Sequence, residues 1–347
     1  MQENVDLIRS AVQEFCTKKV AGISTEIERE GIQEDLIKEL GLQGFLGSMI
    51  PQENGGSGLD IPSFMVMLNT VASFSPSVAV KLLINNTVVN WAVLRTRKEK
   101  LPELAEGSVA GTLNTPGIFS PGSTSPSIVL KGDRLTGTIK NLMSPNSSIV
   151  ISDLGNGDLA VIYSGTRVKS LEKPLAFRGL RSGEIEIDTG DFDIIPHWKE
   201  EFASVMRAAV DQGVASIALG ISRGALNKVA DYVSVRKTFD HELKDYSPVA
   251  SQITGLLSEL SIMEFYLENM EDMDESSGLM IKIRSTDFAK RAAKAAIQYH
   301  GGYGYFEDFG VEKFYRDSYG LSAMLMDRHE DGMRLNKKIF GSRSGYI

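Results

Sequence analysis

One cysteine, Cys16, stands in 347 residues. A lone thiol closes no disulfide within its own chain, so no disulfide framework holds this fold together. With no secretory pattern at the start of the sequence, it reads as a chain of a reducing, cytoplasmic setting. Histidine is also scarce: His197, His241, His300 and His329, with no HExxH and no CxxC. That scarcity argues against a dedicated metal site. No Lys/Arg-rich run occurs and the formal net charge is −8, which excludes a generic nucleic-acid surface. No apolar run approaches the about 18 residues that cross a bilayer, so no membrane span is expected. Internal repeats and low-complexity tracts are missing as well.

What is present is an ordinary globular balance, 42% hydrophobic and 24% charged. The length suits one large domain or two to three ordinary ones. Three textures follow one another. Residues 1–106 carry apolar residues at helical spacing: Val5, Ile8, Val12, Phe15 and Val20, then 35–40, then the apolar stretch 61–94 broken at Phe74-Ser75-Pro76-Ser77. Residues 107–196 hold short β-rich runs (127–130, 149–152, 159–163, 184–187) separated by Gly, Ser, Pro, Asn and Asp. Residues 197–347 return to helical spacing, over 202–235, 248–270 and 278–299, and predict a four-helix bundle. Gly213, Gly220 and Gly224 lie inside the first of these helices; at about 1 kcal/mol each against Ala, they imply close helix packing.

The densest pattern spans residues 291–317, RAAKAAIQYHGGYGYFEDFGVEKFYRD. A stripe of alanines lets another backbone or a flat ligand approach. Gly301 and Gly302 accept positive φ and bare their backbone N–H groups. Read alone, such a turn is as well explained as a helix cap. Its composition is more particular: Ala296, Gln298, Gly301, Gly302, Gly304, Tyr305, Asp308, Phe309, Val311, Glu312, Lys313, Arg316 and Asp317 resemble the C-terminal signature of the acyl-CoA dehydrogenase family, flavoproteins that oxidise acyl-CoA thioesters. Residues 40–60, with Leu40, Gly41, Gly44, Pro51, Gly55, Gly56, Gly58, Leu59 and Asp60, resemble the same family's N-terminal loop. The two matches are some 240 residues apart and in the family's order.

The resemblance implies an α+β architecture: an N-terminal all-α domain (1–106), a small β-barrel-like middle domain (107–196) and a C-terminal four-helix bundle (197–347). It implies FAD, an acyl-CoA substrate in fatty acid metabolism, an electron-transfer acceptor, and a homodimer or homotetramer or a pairing with a paralogous subunit. Arg236 and Thr238, in the string Arg236-Lys237-Thr238-Phe239, match residues reaching the FAD diphosphate across a subunit boundary; Arg supplies planar donors suited to phosphate. Gln298, Tyr299, His300, Gly301 and Gly302 match a segment that touches a neighbouring subunit's FAD. Thr115 and Ser120 fall loosely on the flavin-ring motif of the β-domain, and Leu142-Met143-Ser144-Pro145 on a second one. Asn85 matches a position near the acyl pocket.

Desaturation needs a base for the proton beside the thioester carbonyl. The family's glutamate is missing from both usual places. Allowing a two-residue insertion, Asp327 falls on the first; Val210, with Asp211 beside it, occupies the second. Asp327 is therefore the candidate base, although an Asp at a helix start equally serves the helix dipole. Arg207 and Asp211, four apart, are placed to pair on one helix face. The alternative reading is a catalytically degenerate structural or binding subunit of a heteromeric complex of this family.

Overall fold

The computed structural model describes residues 2–114, 127–269 and 275–341. Helices α1 (Gln2–Lys19), α2 (Ser24–Glu30), α3 (Glu34–Leu42), α4 (Ile61–Phe74), α5 (Pro76–Ile84), α6 (Asn90–Thr96) and α7 (Leu101–Glu106) come first. A π-helical turn, Asn85–Val89, joins α5 to α6. The break between α4 and α5 follows from local chemistry. Ser75 is extended, and Pro76, which has no N–H to lose, opens α5 at its first position. From Pro76 to Thr96 the chain is one apolar helical run of 21 residues, long enough to cross a membrane by length and composition. This corrects the expectation that no such run exists. Nearly all of it is buried in the protein's own core, which accounts for its apolarity without a bilayer.

The glycine-rich stretch between α3 and α4 is folded over that π-helical turn rather than looping through solvent. Asn86 Oδ1 accepts from Ser48 Oγ and the Met49 N–H, both at 3.0 Å, and Asn86 Nδ2 donates to Phe45 O at 2.8 Å. Gly56 must be glycine here: a Cβ would stand 2.1 Å from Ile50 O.

Eight strands follow: β1 (Gly111–Leu113), β2 (Ser127–Lys131), β3 (Arg134–Met143), β4 (Ile149–Asp153), β5 (Leu159–Ile162), β6 (Thr166–Glu172), β7 (Ser182–Thr189) and β8 (Phe192–Ile195). They form two four-stranded sheets, ordered β1-β4-β5-β8 and β2-β3-β7-β6, and not a closed barrel. Val150, Ala160 and Ile162 pack against Leu135, Ile139 and Ile185 of the other sheet. Their alternating neighbours Ile149, Ile151, Leu159 and Val161 join the large helical core. Strands β4 and β5 are thus covered on both faces, which is why they read as unbroken apolar runs and not as alternation.

The C-terminal part holds α8 (Trp198–Val205), α9 (Arg207–Val235), α10 (Ser247–Glu268), α11 (Glu275–His300), α12 (Glu312–Met324) and α13 (Arg328–Phe340). The single helix expected over 202–235 is broken at Met206. α9 and α11 run parallel, since Asp211 meets Lys282 at one end and Tyr232 meets His300 at the other. The glycines of α9 are contact points: a Cβ on Gly220 would lie 2.3 Å from Asn69 O, and one on Gly224 2.5 Å from the Phe314 ring.

The signature residues at the start of α12 are not on a solvated helix. Lys313 and Asp317 are buried, and Arg316 is half-buried. Asp317 Oδ1 accepts the Phe177 N–H at 2.6 Å. Arg316 pairs with Glu28 at 3.0 Å and donates to Leu175 O at 3.0 Å. Lys313 donates to Phe74 O at 2.6 Å. One turn of α12 therefore bonds to α2, to the end of α4 and to the loop before β7.

Candidate cofactor and acyl site

The chain leaves α9 at Arg236, which turns extended. Lys237 and Thr238 then pair antiparallel with His241 and Glu242. Phe239 and Asp240 between them both take positive φ, 47° and 65°, as a two-residue hairpin turn requires. The Tyr246 hydroxyl donates to Thr238 O. The Arg-Lys-Thr-Phe string is thus a surface hairpin and not a frayed helix end. The Arg236 guanidinium is exposed and has no partner among the described residues.

α11 ends beside it. Gly301 takes φ +57°, closing the helix with the left-handed residue that glycine tolerates best. A Cβ on Gly301 or Gly302 would meet nothing of this chain. Gln298 is exposed, and the Tyr299 hydroxyl donates to Gln252 at 2.7 Å. His300 is different. It is 3% exposed, its Nδ1 lies 2.8 Å from Ala296 O, and its ring stacks on Tyr232 at 4.4 Å. Burial pushes its pKa down. The His300 ring is therefore committed to this chain's interior, which leaves its neighbours Gln298, Gly301 and Gly302 to face outward. The His300–Tyr232 stack also brings the hairpin and the Gly-Gly turn to the same end of the bundle. An unpaired guanidinium and two glycines facing open ground are a set that fits a diphosphate reaching in from outside the chain. Thr115 and Ser120 lie outside the described residues.

Asp327 is at the other end. It sits at the N-cap of α13, and its Oδ1 accepts the Glu330 N–H at 2.9 Å. Arg328 pairs with Asp287, so Asp327 lies thirteen residues below His300 along α11, about 20 Å at 1.5 Å per residue. One turn on is Glu330, half-buried, its carboxyl pushed up by burial, opposed by Arg207 and helped by Asp327. In sequence Glu330 is one of several charges between Asp327 and Asp331, a pattern that equally suits a solvated helix start.

Val210 is fully buried, and Asp211 belongs to a buried ion network. Its Oδ1 lies 2.8 Å from Lys282 Nζ and its Oδ2 3.0 Å from Arg334 Nη2. Lys282 also meets Asp331 at 2.7 Å, and Arg334 meets Glu275 at 2.9 Å. Arg207, the partner expected from sequence, is the distant member at 4.0 Å. Burial by itself raises the Asp211 pKa, but Lys282, Arg334 and Arg207 outweigh it and hold the carboxyl below its ordinary range.

Asn85 is fully buried and bonds within the fold: Nδ2 donates to Leu46 O at 3.0 Å and Oδ1 accepts the Gly111 N–H at 3.3 Å. Between the N-terminal helices and the sheets lies a cavity of about 320 Å³, lined among others by Lys81, Ser144, Pro145, Ser147, Gly179 and Arg181. Ser144 takes φ +50°, and the Ser147 N–H bonds Ser144 O at 3.0 Å, so residues 144–147 form a tight turn at the cavity wall.

The architecture is a set of N-terminal helices, two packed sheets and a helical bundle, with an exposed arginine and two glycines at one bundle end and carboxylates at the other. The acyl-CoA dehydrogenase N-terminal domain matches residues 2–108 and the C-terminal domain residues 204–324, together more than half the chain. The chain belongs to the acyl-CoA dehydrogenase family. It is 24% identical to an acyl-CoA dehydrogenase of Bacillus subtilis, over 91% of this chain and 92% of that one. It is 26% identical to the caffeyl-CoA reductase-Etf complex subunit CarC of Acetobacterium woodii, with the same coverage of 91% and 92%. The butyryl-CoA dehydrogenase of Megasphaera elsdenii superposes with a TM-score of 0.83 at 20% identity, covering 98% and 99% of the two chains. A glutaryl-CoA dehydrogenase of Mycobacterium smegmatis in complex with FADH2 superposes at 0.84 and 16% identity, covering 98% and 95%. At these identities the structural likeness speaks for the fold.

Proposed function

We propose that this protein is an FAD-dependent acyl-CoA dehydrogenase that desaturates an acyl-CoA thioester between the α and β carbons. The observation that carries the reading is the outward-facing set at the bundle end: Arg236, unpaired on its hairpin, beside Gly301 and Gly302. Arg236 would hold phosphate oxygens of the cofactor, with Thr238 and Gln298 beside it. Bound FAD supplies the hydride acceptor. Asp327 takes the α proton through Oδ2, since Oδ1 is held by the Glu330 N–H. That N–H fixes the carboxyl's orientation, while Glu330 keeps a second carboxylate within one helical turn.

About 20 Å separates the Arg236 end from the level of Asp327 in one chain. This distance supports a shared site, in which the Arg236 end serves a second copy. Phe239, Tyr305 and Phe306, all strongly exposed at that end, suit burial in such a homo-oligomer. The electrons would leave to an electron-transferring protein. Cys16 is buried and free, and burial pushes its thiol up to about 12, so it is an inert core residue.

The test is the visible spectrum of the purified protein. A flavin spectrum that an acyl-CoA bleaches supports the reading. A colourless protein that FAD does not reconstitute defeats it. One observation favours the second reading, a non-catalytic subunit: Asp327 works as a helix cap, and Asp211, Asp331 and Glu275 are all ion-paired. The Acetobacterium relative is named as a subunit of a complex. In that case the chain stays colourless alone and gains flavin only with a partner chain.

A further inference from the structure

Three lysines are buried among the described residues: Lys81, Lys282 and Lys313. Two have carboxylates to meet their charge. Lys282 lies against Asp211 and Asp331. Lys313 feels Glu28, Asp317 and Glu312. Lys81 has none. It is 5% exposed, and its Nζ donates to Gly111 O and to Ser147 Oγ, both at 2.9 Å, two neutral acceptors. Burial is the sole cause acting on its pKa, pushing it down to about 8. A buried charge without a partner is costly, and native structures match it.

Lys81 also lines the 320 Å³ cavity between α3, α5, the 144–147 turn and residues 179–181. That size is within the ordinary range for small-ligand pockets. An ammonium has three donors, and Lys81 has spent two. Because Ser147 Oγ accepts from Lys81, its own hydrogen is free to donate. Among the described residues, no side-chain hydrogen bond takes up Ser144, Asn146 or Ser148, which line the same wall. Lys38 and Arg181 add positive charge at the rim. Of the two carboxylates there, Glu30 lies 3.9 Å from Arg181, and Glu34 is exposed on the first turn of α3.

We propose that this cavity is a binding site for an oxyanion, a phosphate or a carboxylate, whose charge is matched by Lys81 Nζ and whose oxygens are bonded by Ser147 and its neighbours. The inference stands on the cavity and the uncompensated lysine, and does not depend on the flavoprotein reading.

The experiment is thermal unfolding of the full chain, as purified, titrated with inorganic phosphate and separately with acetate at millimolar concentration. The comparison is wild type against Lys81→Met, Lys81→Arg and Ser147→Ala. Phosphate is expected to raise the wild-type midpoint. Lys81→Met, which removes an unmatched buried amine, is expected to be at least as stable without ligand and to bind phosphate at least tenfold more weakly. Lys81→Arg keeps part of the response. Ser147→Ala weakens binding while keeping the lysine, so it carries the test if Lys81→Met does not fold. A response to acetate as strong as to phosphate identifies a carboxylate ligand. Equal responses in wild type and both Lys81→Met and Ser147→Ala overturn the proposal, as does a wild type that neither anion shifts.

Discussion

The carboxyl of Asp317 accepts the backbone N–H of Phe177 at 2.6 Å, across 140 positions of sequence. With Arg316 on Glu28 and Lys313 on Phe74 O, it fastens the bundle to both other parts of the protein.

This contact has a pH signature. Burial, then Glu28, push Asp317 up to about 8 from an ordinary 3.8, against the pull of the Phe177 N–H, Arg316 and Lys313. The folded state therefore holds the proton more tightly than the unfolded chain. The stability this contributes is present at low pH and declines as pH rises between about 4 and about 8, by at most about 1.4 kcal/mol per pH unit. Asp317→Asn keeps an acceptor for Phe177 and cannot ionise. Urea unfolding across that window should show a flatter slope in the variant. Identical slopes would rule out Asp317 as the titrating group. Lys313, pushed down to about 8 by burial, acts above that window.

Lys282 stands between two buried carboxylates. Lys282→Met leaves Asp211 and Asp331 facing each other, and breaking a buried pair from one side costs about 3–5 kcal/mol. The denaturant midpoint should fall accordingly. A loss under about 1 kcal/mol would mean the network is solvated like a surface pair.

Asp327 has two jobs that substitution can separate. Serine also caps helices, so Asp327→Ser should hold the midpoint of unfolding, whereas Asp327→Ala should lose about 1 kcal/mol. If Asp327 is the base, Asp327→Ser loses at least about a hundredfold in acyl-CoA-dependent flavin reduction. Full activity in Asp327→Ser together with a large loss in Glu330→Gln would move the base one turn along α13.

The two glycines at the end of α11 should behave differently. Gly301→Ala meets no atom but must take φ +57°, at about 1–2 kcal/mol. Gly302→Ala has neither a positive φ nor a neighbour, so unfolding of the isolated chain should be unchanged. If the ground above Gly302 is taken by FAD of a second copy, Gly302→Ala should weaken FAD retention. Unaltered FAD affinity would place the cofactor elsewhere.

Much of this was legible from one sequence. The helical period gave the N-terminal helices and the bundle, and Pro76 marked the break in α4–α5. The Gly-Gly turn and the hairpin string were visible as patterns, and both lie at one bundle end. Strands β1, β6 and β8 were missed because they are short or carry polar residues on an exposed face. The burial of the His300 ring was not legible, because spacing shows that a residue sits near a turn but not which way its ring points. Lys81 gave no signal at all. One lysine inside an apolar helix is indistinguishable in sequence from one that reaches solvent.

By itself, the sequence determined what depends on near neighbours: which segments turn at helical period, where glycine must take positive φ, and which family's motifs are kept in order. These follow from backbone sterics and apolar spacing, which act over a few residues. Tertiary structure alone decided which charges are buried and what meets them. Asp211 finds Lys282 across 71 positions, Arg316 finds Glu28 across 288, and Lys81 finds no carboxylate among the described residues. Desolvation and charge pairing are set by chain segments that meet in space, and no local pattern encodes that meeting.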